Sequence, residues 1–177
     1  MNHDKKIDEF IDLFLKWNER INLSAASTRA ELQEHVDDCL HVVPLLKSAE
    51  RVLDVGSGGG LPVAIAAICL PDQHFVSLEH IHKKLAFLKT AARELGLPNL
   101  EPLAARLEDH VEHDYDVAMS RATFDLVTWF ELAKPYVRAN GLIIGFEGQL
   151  RSDLGEVERV PYEIAGKPRA LVMRRST

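Results

Sequence analysis

The sequence predicts an α/β fold: a mostly parallel seven-stranded sheet with an antiparallel C-terminal hairpin and an N-terminal helical cap. Three observations carry the prediction. Short β-branched apolar runs alternate with segments of helical period through the middle of the chain, the pattern of strands buried between crossover helices. The first run, Val52-Leu53-Asp54-Val55, leads at once into a cluster of glycines, Gly56, Gly58, Gly59 and Gly60. The tail holds two further strand patterns joined by Gly166-Lys167-Pro168, which reads as a hairpin.

In chain order, Ile7, Phe10, Ile11, Phe14 and Leu15 recur at helical spacing, so residues 4–17 form an amphipathic helix. The polar stretch 18–24 breaks that period and reads as a loop. Ser27 or Thr28 is placed to cap a second helix, with Glu31 completing a capping box from Thr28. That helix carries Leu32, Val36, Leu40, Val43 and Leu46, and Pro44 kinks or ends it. The two helices make a cap, residues 1–47, ahead of an α/β core, residues 48–177, within one domain. The first strand is followed by an alanine-rich helix over 61–70 and by a second strand that ends at Glu79. Leu85, Leu88, Ala92 and Leu95 face inward on a helix over 82–95, closed by Gly96. Strands are expected at 100–103, 115–120 and 141–146, a polar turn after Arg106, and a helix over 124–136. The hairpin strands are 159–164 and 170–173.

Hydrophobic residues make up 46% of the chain, enough for a core, and charged residues 27%. The longest apolar run is interrupted by Pro62 and is too short to span a bilayer. The start, Met1-Asn2-His3-Asp4-Lys5-Lys6, lacks the apolar core of a signal peptide, so a cytoplasmic monomer without membrane contact is expected. Cys39 and Cys69 lie far apart in apolar patterns, as reduced core thiols do. A net charge of −6 argues against nucleic acid held mainly by long-range attraction, but allows a partner approached through a local basic patch. Lys167, Arg169, Arg174 and Arg175 in the tail hairpin form the best basic cluster, which also reads as edge protection for the sheet. The close histidine pairs, His80 with His82 and His110 with His113, have no Cys or carboxylate set at zinc-site spacing, so no metal is expected.

Strand, glycine turn and helix bring backbone N–H groups against a ligand. Gly56, Gly58 and Gly60 read G-x-G-x-G, which is not the dinucleotide spacing, and no Lys-Ser/Thr pair closes the loop as in a P-loop. Glu79 stands about 20 residues beyond the loop at a strand end, placed to accept both hydroxyls of a ribose. With no pyrophosphate signature, the ligand indicated is a nucleoside carrying an amino-acid tail: S-adenosylmethionine (AdoMet).

Several dispersed motifs are similar to those of one methyltransferase family. Trp17-Asn18-Glu19-Arg20-Ile21-Asn22-Leu23-Ser24-Ala25 resembles its W-N-x-x-x-N-L-T-A, and His35-Val36-Asp37-Asp38-Cys39-Leu40 its H-I-x-D-S-L. Residues 54–62 resemble its D-V-G-[ST]-G-x-G-L-P, Ser120-Arg121-Ala122 its S-R-A, and Gly148-Gln149 the end of its L-K-G-Q. The family is the bacterial methyltransferase of guanine N7 in 16S rRNA, formerly glucose-inhibited division protein B. The resemblance implies a Rossmann-like class I AdoMet-dependent methyltransferase, yielding S-adenosylhomocysteine, with 16S rRNA or the small ribosomal subunit as partner. It also implies AdoMet contacts at Gly56, Gly58 and Leu61, a ribose held by Glu79, adenine lined by Leu107 and Glu108, and Arg121 beside donor and substrate as the catalytic candidate. Read structurally, Leu107 is instead simple core, Glu108 a helix-starting acid, and Arg121 half of an Arg–carboxylate pair. Glu34 and Glu147 stand where the family has basic residues. If they face RNA, two attractions to phosphate have become repulsions. They motivate two alternatives: a methyltransferase turned to a small molecule or protein, and a non-catalytic AdoMet-binding module.

Methyl transfer from a sulfonium is an in-line displacement governed by positioning and exclusion of water. Guanine N7 loses no proton on methylation, so no general base is required, and the chain offers no paired nucleophile and base of hydrolase type. Arg121 would grip the methionine carboxylate, a phosphate or guanine O6, because a cation at N7 itself would oppose the reaction.

Overall fold

The computed structural model describes residues 3–177; Met1 and Asn2, which open the polar N-terminal stretch, lie outside the described residues. Seven strands form one sheet: β1 (Arg51–Val55), β2 (His74–Leu78), β3 (Leu100–Leu103), β4 (Tyr115–Ser120), β5 (Val137–Glu147), β6 (Glu158–Ile164) and β7 (Lys167–Arg175). Their order is β3-β2-β1-β4-β5-β7-β6. The first five strands run parallel, and β7 pairs antiparallel with both β5 and β6. The chain winds outward from β1 to β3, then returns to lay β4 on the other side of β1. The carboxyl ends of β1 and β4 therefore flank the switch point where open α/β sheets bind ligands.

Among the described residues there are six α-helices: α1 (His3–Ile21), α2 (Arg29–Leu40), α3 (Val43–Leu46), α4 (Val63–Cys69), α5 (His82–Glu94) and α6 (Leu126–Ala133). The sheet separates two apolar cores. One packs α1, α2, α4 and α5 against Val52, Phe75, Val117, Met119 and Ile144. The other packs Trp129 and Phe130 of α6 against Leu53, Val55, Val76, Ala118 and Ile143. Alternate residues of each strand serve opposite cores, which is why the parallel strands read as continuous apolar runs.

Most expected elements stand where the sequence puts them, including the capping box. Glu31 N donates to Thr28 Oγ1 at 3.2 Å, and Thr28 N to Glu31 Oε2 at 3.0 Å. Several boundaries differ: the second helix ends at Leu40, Val43–Leu46 form a separate short helix with Pro44 in its first turn, where its missing N–H costs nothing, and β7 begins at Lys167, inside the expected turn. Helix α1 continues through residues expected as loop, because Ile21 still packs on the core and the left-handed Asn22 (φ 56°) ends the helix beyond it. Asn18 faces the loop and folds it back, donating to Ser24 O and Ala26 O and accepting from Ser24 N. Helix α6 starts two residues late, at the N-cap Asp125, whose carboxylate accepts from Val127 N and Thr128 N. A 3-10 turn over Lys134–Tyr136, with Pro135 inside it, then carries the chain into β5 earlier than the apolar run suggested.

Candidate functional site

The glycine turn is built by conformations that other residues adopt poorly. Gly56 has φ +72°, and a Cβ there would collide with the Thr123 side chain. Its N–H and that of Ser57 both donate to Leu78 O at the end of β2, at 3.0 and 3.2 Å, which anchors the turn across two strands. Gly59 lies so close to the Phe14 ring that a Cβ would collide with it. The turn is thus wedged between the β4 exit and the helical cap.

Glu79 is 4% exposed. Its Oε2 accepts from Gly58 N and its Oε1 from Ile81 N, both at 2.8 Å. Each carboxylate oxygen keeps a further lone pair, so the group ties the glycine turn to the β2 exit and can still accept from a ligand. Beside it opens a cavity of about 460 Å3. Gly56, Gly58, Glu79, Leu107 and Glu108, five of the expected site residues, line it, joined by Ile81, Ala105, Thr123 and Phe124, which sequence reasoning did not single out. Thr123 and Phe124 adjoin the Ser-Arg-Ala motif, and that adjacency was their only signal. Leu107 is buried in the second core as well as lining the cavity, so its two readings coexist, whereas Glu108 is exposed at the rim. Leu61 does not line the cavity; it is half-buried and packs toward the cap.

Arg121 departs from expectation. It is not among the residues that line the cavity. Its Nε donates to Asp38 Oδ2 at 2.8 Å and its Nη2 reaches His35 Nδ1 at 2.9 Å. The other Asp38 oxygen accepts from Tyr162 at 2.7 Å. The Arg–carboxylate pair, the lesser of the two readings from sequence, is the one formed. Because a guanidinium only donates, His35 Nδ1 accepts, which places the imidazole proton on Nε2. Burial and then the Arg121 charge hold the His35 pKa below its ordinary value, which keeps the ring neutral.

Asp54 lies beneath the glycine turn with 1% exposure, and neither carboxylate oxygen has a hydrogen-bond partner. Burial pushes its pKa up to about 7, helped by the Glu79 charge and opposed by Ser57 and Arg121.

Beyond Phe124 a second groove is lined by Asp125, Phe146, Gly148, Gln149, Lys167 and Arg169. Glu147 also lines it, but with its charge held in an ion pair. Its side chain is 1% exposed and pairs with Arg159 at 3.0 Å, while its Oε1 accepts from Arg151 N at 2.8 Å. The expected repulsion of phosphate is therefore corrected: β6 supplies a partner that the sequence did not reveal. Glu34 is exposed on α2, as expected. The basic tail cluster is divided. Lys167 and Arg169 lie at the carboxyl end of β5, whereas Arg174, paired with Glu131, and Arg175 lie at the other end of β7. The buried Nε of Arg169 has no hydrogen-bond partner. Among the described residues no group of three metal-ligating side chains converges, and no helix is long and apolar enough to cross a membrane.

Comparison with solved structures places the fold. A putative O-methyltransferase from Klebsiella pneumoniae superposes with a TM-score of 0.65 at 18% identity, covering 95% of this chain and 90% of that one. An O-methyltransferase from Bacillus cereus in complex with S-adenosylhomocysteine gives 0.68 at 16% identity, over 96% and 91%. At such identities the likeness is one of fold: the Rossmann-like fold of class I methyltransferases. Sequence relatives are nearer. The ribosomal RNA small subunit methyltransferase G of Psychrobacter arcticus is 40% identical over 145 residues, 81% of this chain and 60% of that protein. That of Actinobacillus succinogenes is 36% identical over 151 residues, 84% of this chain and 71% of that protein. The chain spans about 60% of the length of the Psychrobacter protein. A family model described as rRNA small subunit methyltransferase G matches residues 3–167. The chain belongs to the rRNA small subunit methyltransferase G (GidB) family.

Proposed function

We propose that this chain transfers a methyl group from AdoMet to N7 of a guanine in 16S rRNA, within the small ribosomal subunit, and releases S-adenosylhomocysteine. The observation that carries the reading is the cavity at the β1–β4 switch point, lined by Gly56, Gly58, Glu79, Leu107 and Glu108, in a chain of this family. Its volume suits a ligand of nucleoside size.

In this reading Glu79 accepts from the ribose hydroxyls through its free lone pairs, while the Gly58 and Ile81 N–H groups keep its oxygens in place. Leu107 and Phe124 give the purine apolar walls, and Glu108 meets its edge at the rim. The glycine turn lets backbone approach where any side chain would intrude. AdoMet, when bound, supplies an electrophilic methyl group on its sulfonium. The chain's task is then to hold the acceptor in line and exclude water. No residue need accept a proton, since guanine N7 attacks with a free lone pair. The groove beyond Phe124, with Lys167 and Arg169, supports an RNA backbone as the substrate's approach. An rRNA substrate implies work in the cytoplasm, and a monomer is the working unit of this reading.

The test is nucleoside mass spectrometry of 16S rRNA from cells with and without the gene, paired with methyl transfer from labelled AdoMet into small subunits from the deletion strain. The expected result is one 7-methylguanosine lost on deletion and restored by the protein. Unchanged 7-methylguanosine refutes the reading. Label entering metabolites or protein instead would favour a divergent substrate.

A further inference from the structure

Asp38 is the meeting point of three parts of the molecule. It sits on α2 with 8% exposure, and it bonds Arg121 at the β4 exit and Tyr162 on β6. The three are distant in sequence, so the junction exists only in the folded chain. Tyr162 is in turn stacked on His41 at the end of α2, with ring centroids 4.0 Å apart. On the cavity side, the residues after Arg121 turn sharply, with Ala122 at φ 58°. Thr123 Oγ1 lies within hydrogen-bond distance of both Gly56 O, at 3.2 Å, and Arg121 O, at 3.3 Å. The wall formed by Ala122, Thr123 and Phe124 is therefore continuous with a side chain that Asp38 holds.

Charge matters here as much as shape. Arg121 carries a full positive charge behind the glycine turn, and AdoMet brings two more, on its ammonium and its sulfonium, against one carboxylate. The neighbours offer little else to offset them. His35 is neutral, burial keeps the Cys39 thiol protonated, and burial together with the bond to Asp38 keeps the Tyr162 phenol protonated. Glu79 is bound to the turn, Asp54 lies beneath it, and Arg169 adds positive charge on the β7 side. Asp38 is the group in direct ion pair with Arg121.

We propose that Asp38 is a positioning residue for methyl transfer, fixing Arg121 and the cavity wall that continues from it while cancelling a charge that would repel the donor's sulfonium. The inference rests on the methyltransferase reading above. It makes a distinction that a purely structural role does not. S-adenosylhomocysteine fits the same cavity but has a neutral sulfur. A damaged wall weakens both ligands alike, whereas an uncancelled guanidinium weakens AdoMet more.

The experiment is calorimetric titration of AdoMet and S-adenosylhomocysteine into the full chain and into Asp38→Asn, Asp38→Asn/Arg121→Met and Tyr162→Phe. Circular dichroism and thermal melts establish that each is folded at the temperature used. In Asp38→Asn, AdoMet affinity should fall about tenfold and S-adenosylhomocysteine affinity clearly less, so that their ratio shifts at least threefold. Removing Arg121 as well should return the ratio to that of the wild type. Tyr162→Phe, which withdraws one hydrogen bond from Asp38, should shift the ratio in the same direction by a smaller, measurable amount. Affinities within twofold of wild type in Asp38→Asn, or an equal loss for both ligands, overturn the proposal. Should Asp38→Asn fail to fold, an unchanged ratio in Tyr162→Phe overturns it. Wild-type protein that binds neither ligand refutes the methyltransferase reading itself.

Discussion

Asp54→Asn should make the ligand-free protein more stable at alkaline pH, and by an amount that depends on pH. Asp54 is buried with both oxygens unpartnered, and its pKa is raised from an ordinary 3.8 to about 7. The sign follows from linkage. A carboxyl that binds its proton more tightly in the folded state favours folding at low pH. That advantage is lost as pH climbs from about 4 to about 7, and above this range the ionised group remains a constant burden. The interval from 3.8 to about 7, at about 1.36 kcal/mol per unit of pH, comes to about 4 kcal/mol. Asparagine carries no charge but leaves an amide without partners, at a cost of about 1–3 kcal/mol. The net gain at pH 8 is therefore about 1–3 kcal/mol, or roughly 2–12 °C in Tm for a chain of this size. At pH 4 the wild-type carboxyl is largely protonated and the gain should vanish or reverse. Thermal melts of both proteins from pH 4 to pH 8, without AdoMet, check this. A gap of the same size and sign at every pH would refute the assignment of a buried, charge-burdened carboxyl.

Gly56→Ala places a side chain at φ +72° and against Thr123, so it should lower stability by about 2–5 kcal/mol, from about 1–2 for the left-handed backbone and about 1–3 for overpacking. It should also abolish AdoMet binding in calorimetry at a temperature where the variant remains folded; an unchanged affinity would remove the turn from the site. Glu147→Lys, which the sequence alone suggested would tighten RNA binding, should instead lower the urea midpoint by about 3–5 kcal/mol, because it sets an ammonium beside the buried end of Arg159. A midpoint equal to wild type would show that the Glu147–Arg159 pair is not formed. Thr28→Ala removes the side-chain half of the α2 capping box and should cost about 1 kcal/mol in the same denaturation assay. The Glu31 carboxyl, held below its ordinary pKa chiefly by the backbone N–H groups of Ser27 and Thr28, supports the cap at neutral pH. That support should fade as pH falls through the carboxylate range.

The comparison of chain and fold separates two kinds of information. What lies within one turn or one strand of its cause was legible in the sequence. The glycine turn after β1 follows from residues adjacent to one another, the capping box from Thr28 and Glu31, and the acid at the β2 exit from its strand's last position. Hydrophobic period named the strands, and alternation of strand and helix ordered the parallel ones, because crossover connections leave few topologies open. Five of the residues expected at a ligand site line one cavity, because parallel strands deliver their carboxyl ends to one edge of the sheet whatever else the chain does.

What required the tertiary structure is the pairing of charges. Arg121 stands at a strand end, where sequence reasoning put a ligand contact, yet it meets Asp38 from a helix 83 residues earlier. Glu147 looked like a surface charge facing phosphate, but Arg159 of β6 turns it inward. The basic tail looked like one patch, and the antiparallel register of β7 on β5 sends its two halves to opposite ends of the sheet. A charge acts over several ångströms and in every direction, so its effect depends on which distant segment folds beside it, whereas turns, caps and strand ends depend on bonded neighbours. By itself the sequence determined the α/β framework and the edge at which a ligand would lie. Packing in three dimensions decided which charges face that edge and which are cancelled behind it.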